Sequence, residues 1–225
     1  LTLKMWSKSQ KFMKNFILYS FRRWPYAIRA RLALSYLDIR FEHREVNLKN
    51  RPKELYNISS KGTVPVLQID DNNIIDESLD IMIWANKNLK ENKLLTINPN
   101  KQLTIIKDND TEFKFWLDRY KYFDRFPENS KEYYLNKSSI FLKKIEDNLN
   151  NTTNIIDDKM QLVDYAVFPF IRQFANVDID FFKTKFKNIS YWYLKISESK
   201  RFKKIMNKYE FWSSSDKPIY IDFYI

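Results

Sequence analysis

The stretch Ser20–Arg31, SFRRWPYAIRAR, places a Trp-Pro pair at the head of a predicted helix. Pro25 suits a first helical turn, where its missing N–H costs nothing. The residue before it faces the free N–H groups and positive dipole end of the helix, a place that activates a thiol or steadies an anion. Trp24 stands there instead. Indole is no nucleophile and offers a single N–H donor. The nearest hydroxyls are Ser20 and Tyr26. A second stretch, DESLDI, puts Glu77 and Ser78 at another predicted helix start. Free N–H groups and a hydroxyl there suit a carboxylate, and Glu77 suits an ammonium, although Ser78 also serves as a plain N-cap. In a third, KGTVPVL, Pro65 opens a strand at a position that tolerates a cis bond and leaves Val64 an exposed backbone edge.

The elements that must hold these residues follow from the hydrophobic pattern. NFILYS reads as a buried strand, and PYAIRARLALSYL as a helix with Ile28, Leu32 and Leu37 on one face. FEHREVNL alternates as a strand, and RPKELYNIS is a short helix. VPVLQID and NIID form a hairpin turning at Asp71-Asn72. SLDIMIWANKNL is a helix capped by Ser78, with Ile81, Ile83 and Trp84 buried. The order β-α-β-α-β-β-α is that of a thioredoxin-like domain. After the polar KENKLLTINPNK, helical periods run over 102–126 and 131–149, then through the apolar 161–175, where Pro169 predicts a kink. NISYWYLKIS and RFKKIMNKYEFW close the bundle. The last nine residues, KPIYIDFYI, alternate like an edge strand whose place the pattern does not give.

Composition narrows the chemistry. The 225 residues contain no cysteine, which excludes disulfides, thiolate metal sites and a protein thiol nucleophile. No apolar run approaches the roughly 20 residues of a membrane span, and the basic start lacks a secretory core. The net charge of +11 is dispersed: three basic and no acidic residues over 1–12, 13 and 10 over 13–92, 23 and 18 over 93–225. Even the dense stretch Lys195–Lys208 reads as a solvated helix face rather than a phosphate-binding patch, and no specific nucleic acid is expected. A single glycine stands where average usage of about 7% gives roughly 16. Asn88, Asn150 and Asn151 are then expected to serve turns, and Gly62 to be irreplaceable. His43, on a strand away from the motifs, reads as structural.

RRWPYAIRARLAL, NLKNRP, KGTVPVL, DESLDI, FKFWLDRYKY and VDYAVFPFIRQFA together resemble the cytosolic glutathione transferases, in particular their bacterial, omega-like branch. The likeness covers roughly residues 15–212. It implies an α/β N-terminal thioredoxin-like domain plus an all-α C-terminal helical bundle: an extension at 1–12, the glutathione-binding domain at 13–92, a linker at 93–100, the helical domain at 101–213 and a tail at 214–225. Met13 sits where members tend to begin. Glutathione, as co-substrate or ligand, is implied to pair with the Val64 backbone beside Pro65, to place its γ-glutamyl end at Glu77 and Ser78, and to bring its glycyl carboxylate near Arg51. Tyr26 and Leu48 are implied to line that site, and Trp116 and Tyr120 to face a small electrophile. A homodimer is also implied, the first domain of each copy facing the second domain of the other, while composition makes a cytoplasmic protein without metal or membrane contact the expectation.

Two departures stand out. Gln161 holds the cap position of a helix box otherwise completed by Asp164, so weaker capping is expected. Trp24 holds the place of the family's catalytic Cys, which excludes thiol-transferase chemistry by the chain itself. Ser20, Tyr26 or the Trp24 N–H could then support the thiolate of glutathione, as hydroxyls do in other branches. The alternative is a non-catalytic glutathione- or ligand-binding protein in which Trp24 fills the cleft.

Overall fold

The computed structural model describes residues 16–87 and 94–223; the extension at 1–12, Met13 and Asn88 lie outside them. The apolar runs form a mixed sheet in the order β4-β3-β1-β2-β5. Its centre, β1 (Phe16–Ser20), runs parallel to β2 (Phe41–Glu45) and antiparallel to β3 (Val66–Gln68). Leu18 therefore lies between His43 and Leu67. A turn built on the Asp70 carboxylate, which accepts from the Asn72 and Asn73 N–H groups, returns β3 into β4 (Ile74–Ile75). Helices α1 (Pro25–Tyr36), α2 (Lys53–Ile58) and α3 (Ser78–Lys87) complete this unit.

Helix α1 is the spine of the molecule. Ten of its 12 residues are buried, not the single face its pattern suggested, because α1 packs against α3 on one side and, on another, against two helices of the second unit, Leu162–Ala175 and Lys200–Ile205. Arg29 and Arg31 can be buried there only because each guanidinium has polar partners. Helix α3 buries Ile81, Met82 and Ala85. Contrary to expectation, Ile83 and Trp84 are only half-buried at the margin of the core, with Trp84 edge-on to Phe16. Gly62 takes φ +59°, and a Cβ there would run into the Tyr56 ring. The other positive-φ positions among the described residues are Asp38 and Asn98, not Asn150 or Asn151.

The second unit is helical. The period over 102–126 is not one helix: α4 (Pro99–Asp108) passes through a π-turn at Asn109–Phe113 into α5 (Lys114–Lys121), then a 3-10 turn at Phe123–Arg125. The π-turn contains Asp110, whose carboxylate meets Arg29 of α1 at 2.8 Å. Next come α6 (Lys131–Asn148) and α7 (Leu162–Ala175), which runs through Pro169, and then α8 (Ile179–Lys185), α9 (Lys187–Ser197) and α10 (Lys200–Ile205).

At the head of α7, Asp164 accepts the Gln161 N–H at 2.8 Å, so the reciprocal half of the box forms. The same carboxylate takes the Ile155 N–H and the Trp192 indole N–H, each at 2.9 Å. The Gln161 side-chain oxygen also reaches the linker, where it faces Thr96, the Ile97 N–H and Gln102.

The last expected helix stops at Ile205, and the chain returns to the sheet as an extended strap. Trp212 N–H donates to the Glu45 carbonyl at 2.8 Å. Tyr220–Ile221 then forms β5, antiparallel to β2, with Ile221 and Phe223 buried. The unplaced alternating tail is thus the edge strand of the first unit's sheet. Within the basic stretch, Lys195 meets Asn154, Arg201 meets Asp38, Lys203 meets Glu198 and Lys204 meets Asp222.

Candidate functional site

The β1–α1 turn presents Trp24 in extended conformation immediately before α1, its carbonyl accepting the Ile28 N–H at 2.9 Å. The indole is 41% exposed. It forms one wall of a cleft of about 340 Å³ between the two units, together with Pro25, while Asp118, Tyr122, Arg125 and Phe126 form the other. The Arg125 guanidinium lies 4.7 Å from the Tyr122 ring centre. Trp116 and Tyr120, the residues expected to face this space, do not line it. Tyr120 is 2% exposed and packs on Phe174, and Trp116 turns to Tyr133 and Tyr134. On α5 the helical phase that reads as one apolar stripe faces the bundle interior.

The two hydroxyls nearest Trp24 in the sequence differ sharply. Ser20 is fully buried and its Oγ accepts from the Arg31 guanidinium, which also binds the Phe21, Arg22 and Ile205 carbonyls. Burial lowers the Arg31 pKa to about 10, still charged at neutral pH. Ser20 is therefore a structural clamp on the turn. Tyr26 is half-buried, edge-on to Phe170 at 5.0 Å, with the Arg29 guanidinium 5.0 Å above its ring. Burial, aided by the Asp110 charge, raises its pKa, so the phenol stays protonated and can donate.

Around α3 the structure gathers a polar corner. Ser78 is the first helical residue rather than the cap, and its Oγ accepts from Arg29 Nε at 3.0 Å. The Glu77 carboxylate is exposed and bound by Lys61 at 2.6 Å. Lys61 also reaches Asp76 at 3.2 Å, and Ser59 donates to Asp76 at 2.9 Å. Burial works against the Asp76 charge, yet the Ser59 and Lys61 hydrogen bonds hold its pKa below the usual carboxylate range. Sequence reading missed Arg29, Ser59 and Lys61. The one available signal was Lys61 beside the lone glycine.

The Val64–Pro65 peptide is cis, and Val64 lies just ahead of β3. Its N–H and C=O make no hydrogen bond among the described residues. Leu48 packs half-buried in the small cluster formed by Tyr19, Val46, Leu55, Val64 and Val66. Arg51 is exposed just before α2. His43 is buried away from all of these, its Nε2 3.0 Å from Glu45, and burial lowers its pKa. No cluster of three metal-ligating side chains occurs among the described residues.

Two family descriptions match this chain: the glutathione S-transferase N-terminal domain over residues 18–93 and the C-terminal domain over 110–200. The chain belongs to the glutathione S-transferase family.

Within this transferase family, mouse glutathione S-transferase omega-1 is 32% identical over 85 residues, 38% of this chain and 35% of that protein. Human omega-2 is 34% identical over 82 residues, 36% and 34%. These matches span about a third of the length of each curated relative. Among solved structures, a Phanerochaete chrysosporium glutathione transferase, URE2P6, in complex with oxidized glutathione has TM-score 0.74 at 20% identity, covering 86% of this chain and 95% of its own. Glutathione transferase Omega 3C from Trametes versicolor has TM-score 0.74 at 16% identity, covering 88% and 91%. At these identities the likeness concerns the fold. The sheet-plus-helix unit followed by the helical unit is the glutathione transferase fold.

Proposed function

We propose that this chain is an omega-like transferase, of the bacterial type, that binds reduced glutathione across the Val64 edge and the head of α3. The unpaired backbone at Val64, beside a helix start carrying Glu77 and Ser78, is the observation that carries the reading. One strand-like pairing at Val64 would hold the cysteinyl unit. The first-turn N–H groups of α3 would receive the γ-glutamyl carboxylate, and Glu77 its ammonium. Arg51 would approach the glycyl carboxylate, and Tyr26 and Leu48 would flank the ligand.

A small electrophile would lie in the cleft beside Trp24, against Tyr122 and Phe126. The nucleophile would be the ligand's own thiolate, steadied by the α1 N-terminus and by the Trp24 N–H or the protonated Tyr26. Ligand holding without turnover is the second reading. Two observations favour it: Ser20 is already spent on Arg31, and the chain, with Trp24 at the head of α1, contains no cysteine. The protein would act in the cytoplasm as a homodimer.

Substitution Trp24→Cys separates the two. A thiol at the head of α1, near Arg22 and Arg23, would have a depressed pKa and would form a mixed disulfide with oxidized glutathione, releasing one reduced glutathione. Mass spectrometry should then show one added glutathionyl unit, reversed by dithiothreitol. A variant that binds glutathione yet stays unmodified would mean the geometry of the thiol site is lost. Trp24→Phe keeps the bulk and removes the donor; a raised thiol pKa of bound glutathione would mark the indole N–H as functional, and an unchanged one would mark Trp24 as a filler.

A further inference from the structure

The small cluster beneath Val64 has one member from far along the chain. Tyr19, Val46, Leu55, Val64 and Val66 are its buried core, and Ile17, Phe21, Leu48, Ile58 and Ile74 pack around them, all from the first 76 residues. Trp212, from the C-terminal strap, is the exception. It is fixed from three directions. Its N–H donates to the Glu45 carbonyl at 2.8 Å, its ring meets Tyr19 edge-on at 5.8 Å, and the Arg44 guanidinium lies 4.2 Å from its ring centre. Arg44 in turn binds the Tyr19 hydroxyl and Glu42.

Helix α2 depends on this cluster. It has six residues, of which Leu55 alone is buried. An element with so little buried apolar surface has low local stability, so each neighbour in the layer that buries Leu55 matters. Farther along, the strap is held by the two-residue β5 and the His43 N–H to Ile219 carbonyl bond.

We infer that Trp212 is a positioning residue for the ligand site: the strap lodges it in the layer that holds α2 and the Val64 edge, so strap docking and glutathione binding are coupled. The coupling rests on the glutathione reading above, whereas the positioning does not. Linkage makes the effect reciprocal, and a ligand that orders Val64 and α2 also favours the docked strap.

Hydrogen exchange on the full chain and glutathione titration, run on the same samples, test both halves. In Trp212→Ala, amides of residues 53–66 should exchange faster while those of α7 keep their protection, and the dissociation constant for glutathione should rise about fivefold. Trp212→Phe should restore both. Tyr191→Ala, which removes a ring 75% exposed on α9, should alter neither. Should Trp212→Ala fail to fold, Trp212→Leu keeps apolar bulk, loses the edge contact with Tyr19 and gives the same comparison. Unchanged exchange at 53–66 would overturn the positioning role, and an unchanged dissociation constant the coupling. If the unsubstituted protein binds no glutathione, the coupling falls with the ligand reading, and exchange at 53–66 still decides the positioning.

Discussion

Arg29 Nε lies 3.0 Å from Ser78 Oγ, so the hydroxyl at the head of α3 already serves an internal donor. The same guanidinium reaches Asp110 at 2.8 Å and is 3% exposed. Ser78 thus belongs to a bridge from the first unit through α1 to the second, and the proposed carboxylate site would rest on the first-turn N–H groups of α3 more than on this hydroxyl.

Ser78→Ala should therefore destabilise the protein as well as affect binding. It leaves the buried Arg29 Nε–H without its acceptor while Asp110 still holds the other arm, a loss of about 1–3 kcal/mol. Urea unfolding at pH 7 checks this, with Ser78→Thr recovering most of the loss. Equal stability of the alanine variant and the parent would show that the bridge does not depend on this bond.

The Lys61–Glu77 pair makes a prediction of opposite kind. Lys61 is exposed, and its Glu77 and Asp76 hydrogen bonds raise its pKa; such surface pairs add little to stability. Any ligand ammonium at Glu77 must compete with it. Lys61→Met should leave the melting temperature unchanged and tighten glutathione binding, whereas Glu77→Ala should weaken binding by about 1–3 kcal/mol. Calorimetry on the two variants decides, and weaker binding by Lys61→Met would mean Lys61 itself contacts the ligand.

Asp164 sets a pH dependence. Burial raises its carboxyl from 3.8 to about 6, against the pull of the Ile155, Gln161 and Trp192 donors. The folded chain therefore holds this proton more tightly than the unfolded one. The group's contribution to stability is complete below about pH 4 and is lost as pH rises through about 6. Asp164→Asn should flatten the stability profile across that window relative to the parent. Asp164→Ala should cost at least about 3 kcal/mol, because it strands three buried donors. A parallel pH profile for Asp164→Asn would contradict the shift.

What the sequence made legible was local. FILYS, PYAIRARLALSY and the hairpin around Asp71-Asn72 carry their own periodicity and turn chemistry, and each formed close to its expected span. The cis peptide at Val64–Pro65 lies where a proline opening a strand tolerates one, although the sequence did not require it. What escaped was set by partners distant in the chain. Ser20 looks like a free hydroxyl until Arg31 folds onto it, and Ser78 looks like a cap until Arg29 arrives from α1. The π-turn at Asn109–Phe113 has no local mark, and it carries the Asp110 that pairs with Arg29. Trp116 and Tyr120 share an apolar stripe whose direction only the packed bundle defines. The tail declared itself a strand, but only the exposed side of β2 gave it a place.

One titration decides whether glutathione binds: reduced glutathione into the unsubstituted protein, followed by calorimetry. The prediction is saturable binding at one site per chain, weakened in Glu77→Ala and retained in Tyr191→Ala. No heat and no thermal shift at millimolar glutathione would contradict it, and would leave the Val64 edge and the α3 head as parts of a fold that no longer holds this ligand.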